Sequence, residues 1–308
     1  VIFLYPTKDG VFDFSEISAD DVVILPAFGV ALHDFKTLRE IGCVLVDTTC
    51  GSVLNVWKRV ESYARDGFTA LIHGKYFHEE TRATASQANT HAGGKYIVVR
   101  DMDEARLVCD YIEQNERALA RETFQYHFRD KATPGFDPGI DLERVGVANQ
   151  TTMLATESLA IAAEVGRSLS ARYGEAAVAE HFRSFDTICS ATQERQDAVI
   201  GMMQDPPDLM VVIGGYNSSN TNHLAHLCRE YTTTYHIADA TCIDAARGTI
   251  RHKPELAADA PEEEVSDWLP AGTLTIGLTA GASTPNVKIG ETIERILATR
   301  GVALPVAG

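Results

Sequence analysis

Residues 46–50 read Val-Asp-Thr-Thr-Cys, and residues 185–189 read Phe-Asp-Thr-Ile-Cys. Each segment places a cysteine just beyond a predicted strand and just before a predicted helix. In α/β proteins functional side chains converge at this carboxyl end of the strands. Two thiolates presented in this way suggest a shared iron or zinc centre. The alternative is that both cysteines are small core residues, because free cysteine is among the most buried residue types.

The rest of the chain predicts an α/β fold. Short β-branched runs alternate with amphipathic stretches, which is typical of parallel sheets covered on both faces. The predicted strands are 21–25, 43–46, 69–72, 96–99, 145–148, 209–213 and 274–278. The predicted helices are 53–65, 102–113, 158–173, 193–203, 219–230 and 287–299. Recurrence of the strand-Asp-x-x-Cys-helix pattern predicts related modules arranged around one centre.

Composition limits the possible functions. A chain of 308 residues with 45% apolar content is long enough for two or three domains. The net charge of -16, without any Lys- and Arg-rich stretch, argues against a general nucleic-acid binder. Six widely spaced cysteines favour a reducing compartment. No apolar run approaches the ~20 residues of a membrane span and no signal-peptide pattern is present, so we expect a soluble intracellular protein.

Three regions interrupt the strand and helix alternation. Residues 114–142 form a long, charged, partly helical insertion that ends in a cluster of Pro and Gly turn residues. Residues 252–268 are acidic and are predicted to be a solvated surface loop. The tail from Gly301 is predicted to be small and flexible.

A polar run at residues 216–222 predicts an anion site. It follows strand 209–213 and opens a helix, where hydroxyls, amides and backbone N–H groups bind an anion without net positive charge. An ordinary N-cap needs only one such residue, and seven in a row exceed that need. The preceding Gly214 and Gly215 lack the further residues of a dinucleotide or P-loop motif.

Other strand ends carry similar chemistry. Residues 149–152 follow one strand and residues 279–285 follow another. If these ends point inward, one phosphate-like group would be surrounded by Thr151, Thr152, Ser218, Ser219, Asn220 and Ser283. Each residue alone is also compatible with a cap or a turn. After strand 69–72, His78 offers an imidazole for phosphate oxygens in a loop, and Glu80 offers a carboxyl that can donate a proton.

Taken together and in order, these segments resemble the 4-hydroxy-3-methylbut-2-enyl diphosphate reductase family, most closely its plant and cyanobacterial branch. The resemblance extends from about Asp21 to Leu297. It rests on residues 25–29, 47–50, 72–75 with 78–80, 149–152, 189–196, 217–220 and 280–283. It implies three α/β domains in pseudo-threefold arrangement around a 4Fe-4S cluster, with one cysteine ligand from each domain. An incomplete first domain would comprise residues 1–49 with 284–308, the second 50–188 and the third 189–283.

The resemblance also implies a role for each candidate residue. Cys50 and Cys189 would be cluster ligands, Thr151 would lie beside the substrate hydroxyl, and Glu80 would deliver the proton that lets it leave as water. The diphosphate would be held by His78, Thr152, Ser218, Ser219, Asn220 and Ser283. Ferredoxin or flavodoxin would supply two electrons, and the products would be isopentenyl and dimethylallyl diphosphates of the non-mevalonate pathway. The compartment would be the bacterial cytoplasm or the plastid stroma.

Two departures from the family pattern matter. The first cysteine ligand and a substrate-binding histidine belong to an N-terminal segment that is missing here, and residues 1–4 suggest a strand already under way, so we expect a truncated or processed protein. Phe28 stands where many bacterial members have a phosphate-binding histidine, as it tends to in the plant-like branch.

The other four cysteines are not expected to bind the cluster, and two alternative functions are compatible with the sequence. Cys242 repeats the Asp-x-Thr-Cys pattern but is not expected to replace the missing ligand. Cys43, Cys109 and Cys228 are expected to be buried. One rival is a non-catalytic iron–sulfur or anion-binding homologue that has lost the first ligand. A weaker one is a thiol-based α/β enzyme without metal.

Overall fold

The computed structural model describes residues 1–7, 10–185, 187–254 and 260–302. Over these residues the chain has the predicted α/β fold, and it divides into two compact units, Val1–Ile188 and Cys189–Gly308. Asp186 of the second cysteine segment, residues 255–259 of the predicted acidic loop and residues 303–308 of the predicted tail lie outside the described residues. The division into three domains stays a prediction.

The first unit contains six strands and eight helices among its described residues. The strands are β1 (Val22–Leu25), β2 (Val44–Asp47), β3 (Thr69–His73), β4 (Lys95–Val99), β5 (Val145–Asn149) and β6 (Phe182–Ser184). The helices are α1 (Leu32–Ile41), α2 (Gly51–Arg65), α3 (Glu79–Ser86), α4 (Met102–Glu113), α5 (Arg121–His127), α6 (Pro138–Asp141), α7 (Ala155–Tyr173) and α8 (Val178–His181). A short 3₁₀ helix, Gln87–Thr90, follows α3.

Two parallel sheets organise this unit. β1 pairs with β2, and the larger sheet has the order β4-β3-β5-β6. Because side chains alternate along a strand, Ile72 of β3 packs with α2 on one face, while Leu71 packs with α4 and α7 on the other. His73 lies opposite Asn149 in the register, so the loops after β3 and β5 leave the sheet side by side.

The second unit contains a parallel sheet of order β12-β7-β8 and an antiparallel sheet of order β11-β10-β9. Its strands are β7 (Leu209–Ile213), β8 (Thr233–Ile237), β9 (Ile243–Asp244), β10 (Thr249–His252), β11 (Glu263–Ser266) and β12 (Ile276–Ala280). Its helices are α9 (Ser190–Met202), α10 (Ser219–Arg229) and α11 (Asn286–Thr299). Ile213 lies opposite Ala280, which brings the loops after β7 and β12 together.

The structure confirms all seven predicted strands and all six predicted helices, with ends shifted by up to three residues. It also confirms the partly helical insertion, whose residues Phe124 and Phe128 are buried in the core of the first unit. Cys43, Cys109 and Cys228 are buried as expected. No helix in the described ranges combines the length and apolar character needed to cross a membrane.

Two expectations were wrong. Residues 1–4 form no strand, and the side chains of all four, Val1, Ile2, Phe3 and Leu4, are exposed. The acidic region 252–268 is not simply a loop, because β11 pairs with β10 while keeping Glu263 and Glu264 exposed. His78 lies in the loop after β3, as predicted, and is the N-cap of α3. The sequence analysis did not predict α3, whose polar sequence Glu-Glu-Thr-Arg-Ala-Thr-Ala-Ser carries no apolar stripe.

Candidate active site

Cys50 lies at the start of a helix with its side chain exposed. The preceding turn is fixed by Asp47, whose Oδ1 accepts hydrogen bonds from the Thr49 backbone N–H at 2.9 Å and the Thr49 hydroxyl at 2.6 Å. The backbone N–H of Cys50 donates to the carbonyl of Ala27 at 2.8 Å. Cys50 is the N-cap residue of α2, and its sulfur caps no backbone group. The sulfur is therefore held at a positive helix end and is available to a ligand.

Cys189 has the same position relative to its own helix. It is the half-buried N-cap of α9, and its sulfur accepts a hydrogen bond from the Thr192 N–H at 3.3 Å. The thiol also contacts the Thr192 hydroxyl at 3.0 Å. One turn further on, the Arg195 guanidinium donates to the carbonyl of Ala280 at 3.1 Å, which ties α9 to the carboxyl end of β12.

Glu80 and Thr151 meet where the loops after β3 and β5 adjoin. The side chain of Glu80 is 3% exposed, and its Oε1 accepts the Thr151 backbone N–H at 2.5 Å. Burial raises the pKa of Glu80 above the usual glutamate value, while the bonds from Thr151 oppose that shift. Glu80 is thus a carboxyl that holds its proton to higher pH than an ordinary surface glutamate.

His78 caps the helix that carries Glu80. Its Nδ1 accepts the Glu80 backbone N–H at 3.2 Å, so the ring proton of the neutral imidazole is on Nε2. Burial lowers the pKa of His78, with a smaller lowering from Lys75 and an opposing effect of Glu79. The Phe28 ring lies edge-on to this imidazole, with 6.3 Å between centroids.

Gln150 holds the two loops together. Its Oε1 accepts the Thr81 hydroxyl at 3.0 Å and the Lys75 backbone N–H at 3.2 Å. Its Nε2 donates to the Thr152 hydroxyl at 2.8 Å. The fully buried amide therefore sets the position of Thr152 relative to the loop of His78 and Glu80.

Asn149 connects the same site to the segment that leads to Cys189. The hydroxyl of Thr187 donates to Asn149 Oδ1 at 2.5 Å and accepts the Asn149 backbone N–H at 3.2 Å. Neither Gln150 nor Asn149 was among the predicted site residues, although both belong to the polar run 149–152 that follows the predicted strand 145–148. The sequence feature that could have identified them is the pair of amide side chains at the end of a buried strand, where polar groups need hydrogen-bond partners.

The second unit presents unsatisfied polar groups at the start of α10. Ser218 is the N-cap, and its hydroxyl accepts the Thr221 N–H at 3.3 Å. Ser219 and Asn220 follow it and are 4% and 2% exposed. Among the described residues, the Ser219 hydroxyl and both polar atoms of the Asn220 amide have no hydrogen-bond partner. Buried groups of this kind are costly unless a ligand or water satisfies them.

Two glycines allow the neighbouring loop to approach this helix end. A Cβ added at Gly214, whose φ is +147°, would lie 2.8 Å from the hydroxyls of both Thr221 and Thr284. A Cβ at Gly281 would clash with the Thr221 hydroxyl. Ser283 is exposed in the loop that Gly281 begins. The second unit therefore brings Ser218, Ser219, Asn220 and the loop of Ser283 to one end of its parallel sheet.

A family model described as LytB protein matches residues 6–297 of this chain. The chain belongs to the LytB protein family. It is 47% identical over 293 residues to a 4-hydroxy-3-methylbut-2-enyl diphosphate reductase of Synechococcus sp. (strain CC9605), covering 95% of this chain and 71% of the relative. It is 48% identical over 299 residues to the reductase of Thermosynechococcus vestitus, covering 97% and 71%. These relatives confirm the resemblance and its cyanobacterial branch.

Two solved structures have the fold of this LytB chain. One is (E)-4-hydroxy-3-methyl-but-2-enyl diphosphate reductase, described as the terminal enzyme of the non-mevalonate pathway, with a TM-score of 0.51, 24% identity, and coverage of 92% of this chain and 78% of the other. The second is the E-1-hydroxy-2-methyl-but-2-enyl-4-diphosphate reductase of Plasmodium falciparum, with a TM-score of 0.61, 17% identity, and coverage of 92% and 70%. They confirm the α/β fold class.

Cys50 and Cys189 of this LytB chain are of the residue type that binds iron–sulfur clusters. Such clusters are held by thiolates, and the positive end of a helix favours a thiolate at Cys50 and at Cys189. Within the ranges that the structure describes, no three or more His, Cys, Asp or Glu side chains are grouped to hold a metal ion. The two cysteines belong to different units, so their joint role as ligands stays a prediction.

Proposed function

We propose that this LytB chain catalyses the reductive dehydroxylation of (E)-4-hydroxy-3-methylbut-2-enyl diphosphate in the non-mevalonate pathway. The carbon–oxygen bond of the substrate alcohol breaks, and the hydroxyl takes up a proton and leaves as water. Two electrons and a second proton complete the new carbon–hydrogen bond. The products are isopentenyl and dimethylallyl diphosphates. Family membership and 47% identity to a reductase of this name support the proposal.

The buried pair of Glu80 and Thr151 is the observation that carries the chemistry. An alcohol is a poor leaving group until it is protonated, so the reaction needs a proton donor close to the substrate oxygen. Glu80 meets that need because its burial favours the protonated carboxyl. Thr151 bonds directly to Glu80 and positions a hydroxyl next to it. In our proposal Thr151 orients the substrate alcohol and Glu80 protonates it.

Neutral donors hold the diphosphate in this proposal. The unpartnered Ser219 hydroxyl and Asn220 amide at the start of α10 gain hydrogen bonds from phosphate oxygens, and the positive helix end adds a favourable field. Ser218 and Ser283 extend the same polar rim. His78 contributes its Nε2 proton, and Thr152, held by Gln150, contributes its hydroxyl. A chain with a net charge of -16 can bind an anion in this way because the donors are dipoles.

In this proposal Cys50 and Cys189 are two thiolate ligands of a 4Fe-4S cluster. When bound, the cluster accepts and delivers single electrons, which the side chains described above cannot do. Ferredoxin or flavodoxin supplies the electrons. The work takes place in a bacterial cytoplasm or a plastid stroma, in keeping with the cyanobacterial relatives.

The test is anaerobic turnover of the diphosphate substrate by the cluster-loaded protein with reduced methyl viologen. We compare the wild type with Glu80→Gln, which keeps the side-chain shape but has no acidic proton to transfer. The rate constant should fall by about 10²–10⁴-fold, the usual size of a general-acid effect. Glu79→Gln is the matched control, because Glu79 is adjacent but makes no bond to Thr151. Equal rates for both variants would contradict the role of Glu80.

The pH dependence gives a second readout of the same group. Because the folded-state pKa of Glu80 is raised, ionising it destabilises the folded protein, and stability is lost as pH rises through that pKa. Glu80→Gln should therefore be more stable than the wild type at pH 8, and the difference should shrink toward pH 4. Chemical unfolding at several pH values measures this. A chain that loads iron and yet never converts the substrate would instead support the non-catalytic alternative.

A further inference from the structure

A cationic pocket of about 430 Å³ lies on the first unit. One wall is the exposed side of α2, with Ser52, Asn55, Lys58 and Arg59. The other wall is the segment that follows β6, where Phe185 takes part. We call this the α2 pocket. None of the roles assigned above uses it.

The charge of the described residues that line the α2 pocket is opposite to that of the whole chain. Its described lining residues include no carboxylate, although the net charge of the chain is -16. Asp186, which follows Phe185 in the sequence, lies outside the described residues. Lys58 and Arg59 are exposed, and neither is within 4.0 Å of a described carboxylate oxygen. Exposed cations without a carboxylate partner among the described residues attract an acidic partner and orient its approach.

One wall of the α2 pocket is aromatic. The Arg59 guanidinium lies over the Phe185 ring at 3.9 Å from its centroid, and Phe185 is 39% exposed. Phe185 stacks in turn on buried Tyr63, with 6.3 Å between centroids. The Tyr63 hydroxyl donates to the carbonyl of Val147 at 2.9 Å, which anchors the stack on β5. Aromatic and arginine side chains held in this way are typical of the residues that dominate binding energy at protein interfaces.

The α2 pocket is built from the two segments that carry the proposed cluster ligands. Ser52 lies two residues after Cys50 on the first turn of α2, and Thr187 lies two residues before Cys189. Thr187 is also bonded to Asn149, next to the loop of Thr151. A protein that docks here contacts α2, the helix that Cys50 precedes as its N-cap.

We propose that the α2 pocket docks an acidic electron-carrier protein, with Lys58 and Arg59 pairing with its carboxylates and Phe185 providing the apolar contact. This inference rests on the proposed function, because a reductase of this kind must receive electrons from outside the chain. The two cations among the described lining residues favour a partner of net negative charge. They argue against a cationic partner.

The experiment uses the full cluster-loaded protein and an acidic plant-type ferredoxin as the probe. The test variant is Lys58→Glu/Arg59→Glu. The matched control is Lys36→Glu/Arg39→Glu on α1, which changes the net charge by the same amount. Both residues are exposed cations of the same unit, and the Arg39 guanidinium also lies near an aromatic ring, 6.0 Å from the centroid of Phe35. The neutral variant Lys58→Gln/Arg59→Gln separates loss of attraction from new repulsion. Thermal unfolding verifies that all variants are folded.

Binding and turnover are measured separately. We expect the Kd for ferredoxin, from calorimetric titration at low salt, to rise about tenfold in the charge-reversal variant and by less in the neutral one. The control should shift it less than twofold. The ratio of ferredoxin-driven to viologen-driven turnover should fall in parallel, and the difference should diminish at high salt.

Two results would overturn the proposal. One is an unchanged Kd in the test variant, and the other is an equal loss in the α1 control, which would reduce the effect to net charge. Failure of the proposed function looks different. Viologen-driven turnover would then be absent in every protein, wild type included, and the titration would still decide whether the α2 pocket binds the carrier.

Discussion

Two turns with the same sequence pattern, residues 47–50 and 239–242, have the same hydrogen bonds. Asp239 Oδ1 accepts the Thr241 backbone N–H at 2.9 Å and the Thr241 hydroxyl at 2.6 Å, the distances that join Asp47 to Thr49. The cysteines that end the two turns nevertheless differ. Cys50 is exposed, whereas Cys242 is 5% exposed with its sulfur 3.8 Å from the Tyr216 hydroxyl.

The element that follows each turn explains the difference. After Cys50 the chain enters the 15-residue helix α2, and the cysteine remains outside the helix as its N-cap. After residue 239 the chain makes a three-residue 3₁₀ helix that contains Cys242 and continues into β9, so the sulfur points into the core of the second unit. The pattern Asp-x-Thr-Cys thus specifies a turn. Whether the thiol can bind a metal depends on the continuation of the chain.

Iron loading should separate the two cysteines most strongly. Cys50→Ser in the full protein should lose the cluster, because a hydroxyl replaces a proposed thiolate ligand, and Cys242→Ser should keep it. The loss in iron affinity should exceed the roughly 10–100-fold effect of altering a group that only supports a ligand. Iron and acid-labile sulfide per chain, after anaerobic reconstitution, measure this. Full loading of Cys50→Ser would break the comparison.

The second-largest difference should be in thiol reactivity, with Cys50 reacting faster than Cys242 in the iron-free protein. Exposure at a helix N-terminus favours attack by Cys50, and burial protects Cys242 until the second unit opens locally. We expect iodoacetamide to modify Cys50 about a hundredfold faster, as followed by mass spectrometry of peptides. Comparable rates in the native protein would mean that Cys242 is accessible, and rates measured in denaturant provide the reference.

The free energy of unfolding should fall more when Cys242 is replaced than when Cys50 is replaced. Cys242→Ala removes a buried sulfur that packs beside Tyr216 and should lower the free energy of unfolding by about 1 kcal/mol. Cys50→Ala should leave it within about 0.5 kcal/mol, because the side chain is exposed and bonds to no backbone group. Urea unfolding of the iron-free variants tests this. A larger loss for Cys50→Ala would contradict the structure.

The smallest effect concerns the aspartates of the two turns. The Lys288 ammonium, 2.7 Å away, and bonds from Thr241 lower the pKa of Asp239 to about 2. Its stabilising contribution is therefore present above the usual aspartate pKa and is lost as pH falls toward 2. Asp239→Asn should cost about 0.5 kcal/mol at pH 7, since the ion pair is largely exposed, and nothing below the folded pKa. Asp47→Asn should cost less at pH 7, because no described Lys or Arg forms an ion pair with Asp47.

Strong local patterns made much of the fold predictable. The strands were readable because β5 and β7 are buried at every position and consist mainly of apolar residues, including several valines. The helix after Cys50 followed from an apolar stripe. By contrast α3 is polar along its length, and it forms because His78 caps it and its small residues pack under α2. Such tertiary support leaves no periodic signal in the sequence.

The site was predictable to a similar degree. The polar runs after β5 and β7 placed Thr151, Thr152, Ser218, Ser219 and Asn220 among the candidates, because the ends of parallel strands converge. Their connections were not predictable. Gln150 bridges Thr81 to Thr152, and Thr187 bonds to Asn149. These connections depend on residues that are far apart in the sequence, 69 positions for Thr81 and Gln150 and 38 for Thr187 and Asn149.

The most direct test of the whole account is product formation from ¹³C-labelled (E)-4-hydroxy-3-methylbut-2-enyl diphosphate, followed by NMR under anaerobic conditions with reduced methyl viologen. We expect isopentenyl and dimethylallyl diphosphates from the full cluster-loaded protein and from Cys242→Ser, and unchanged substrate with Cys50→Ser. Products from Cys50→Ser at the wild-type rate, or none from the cluster-loaded wild type, would contradict the proposed function.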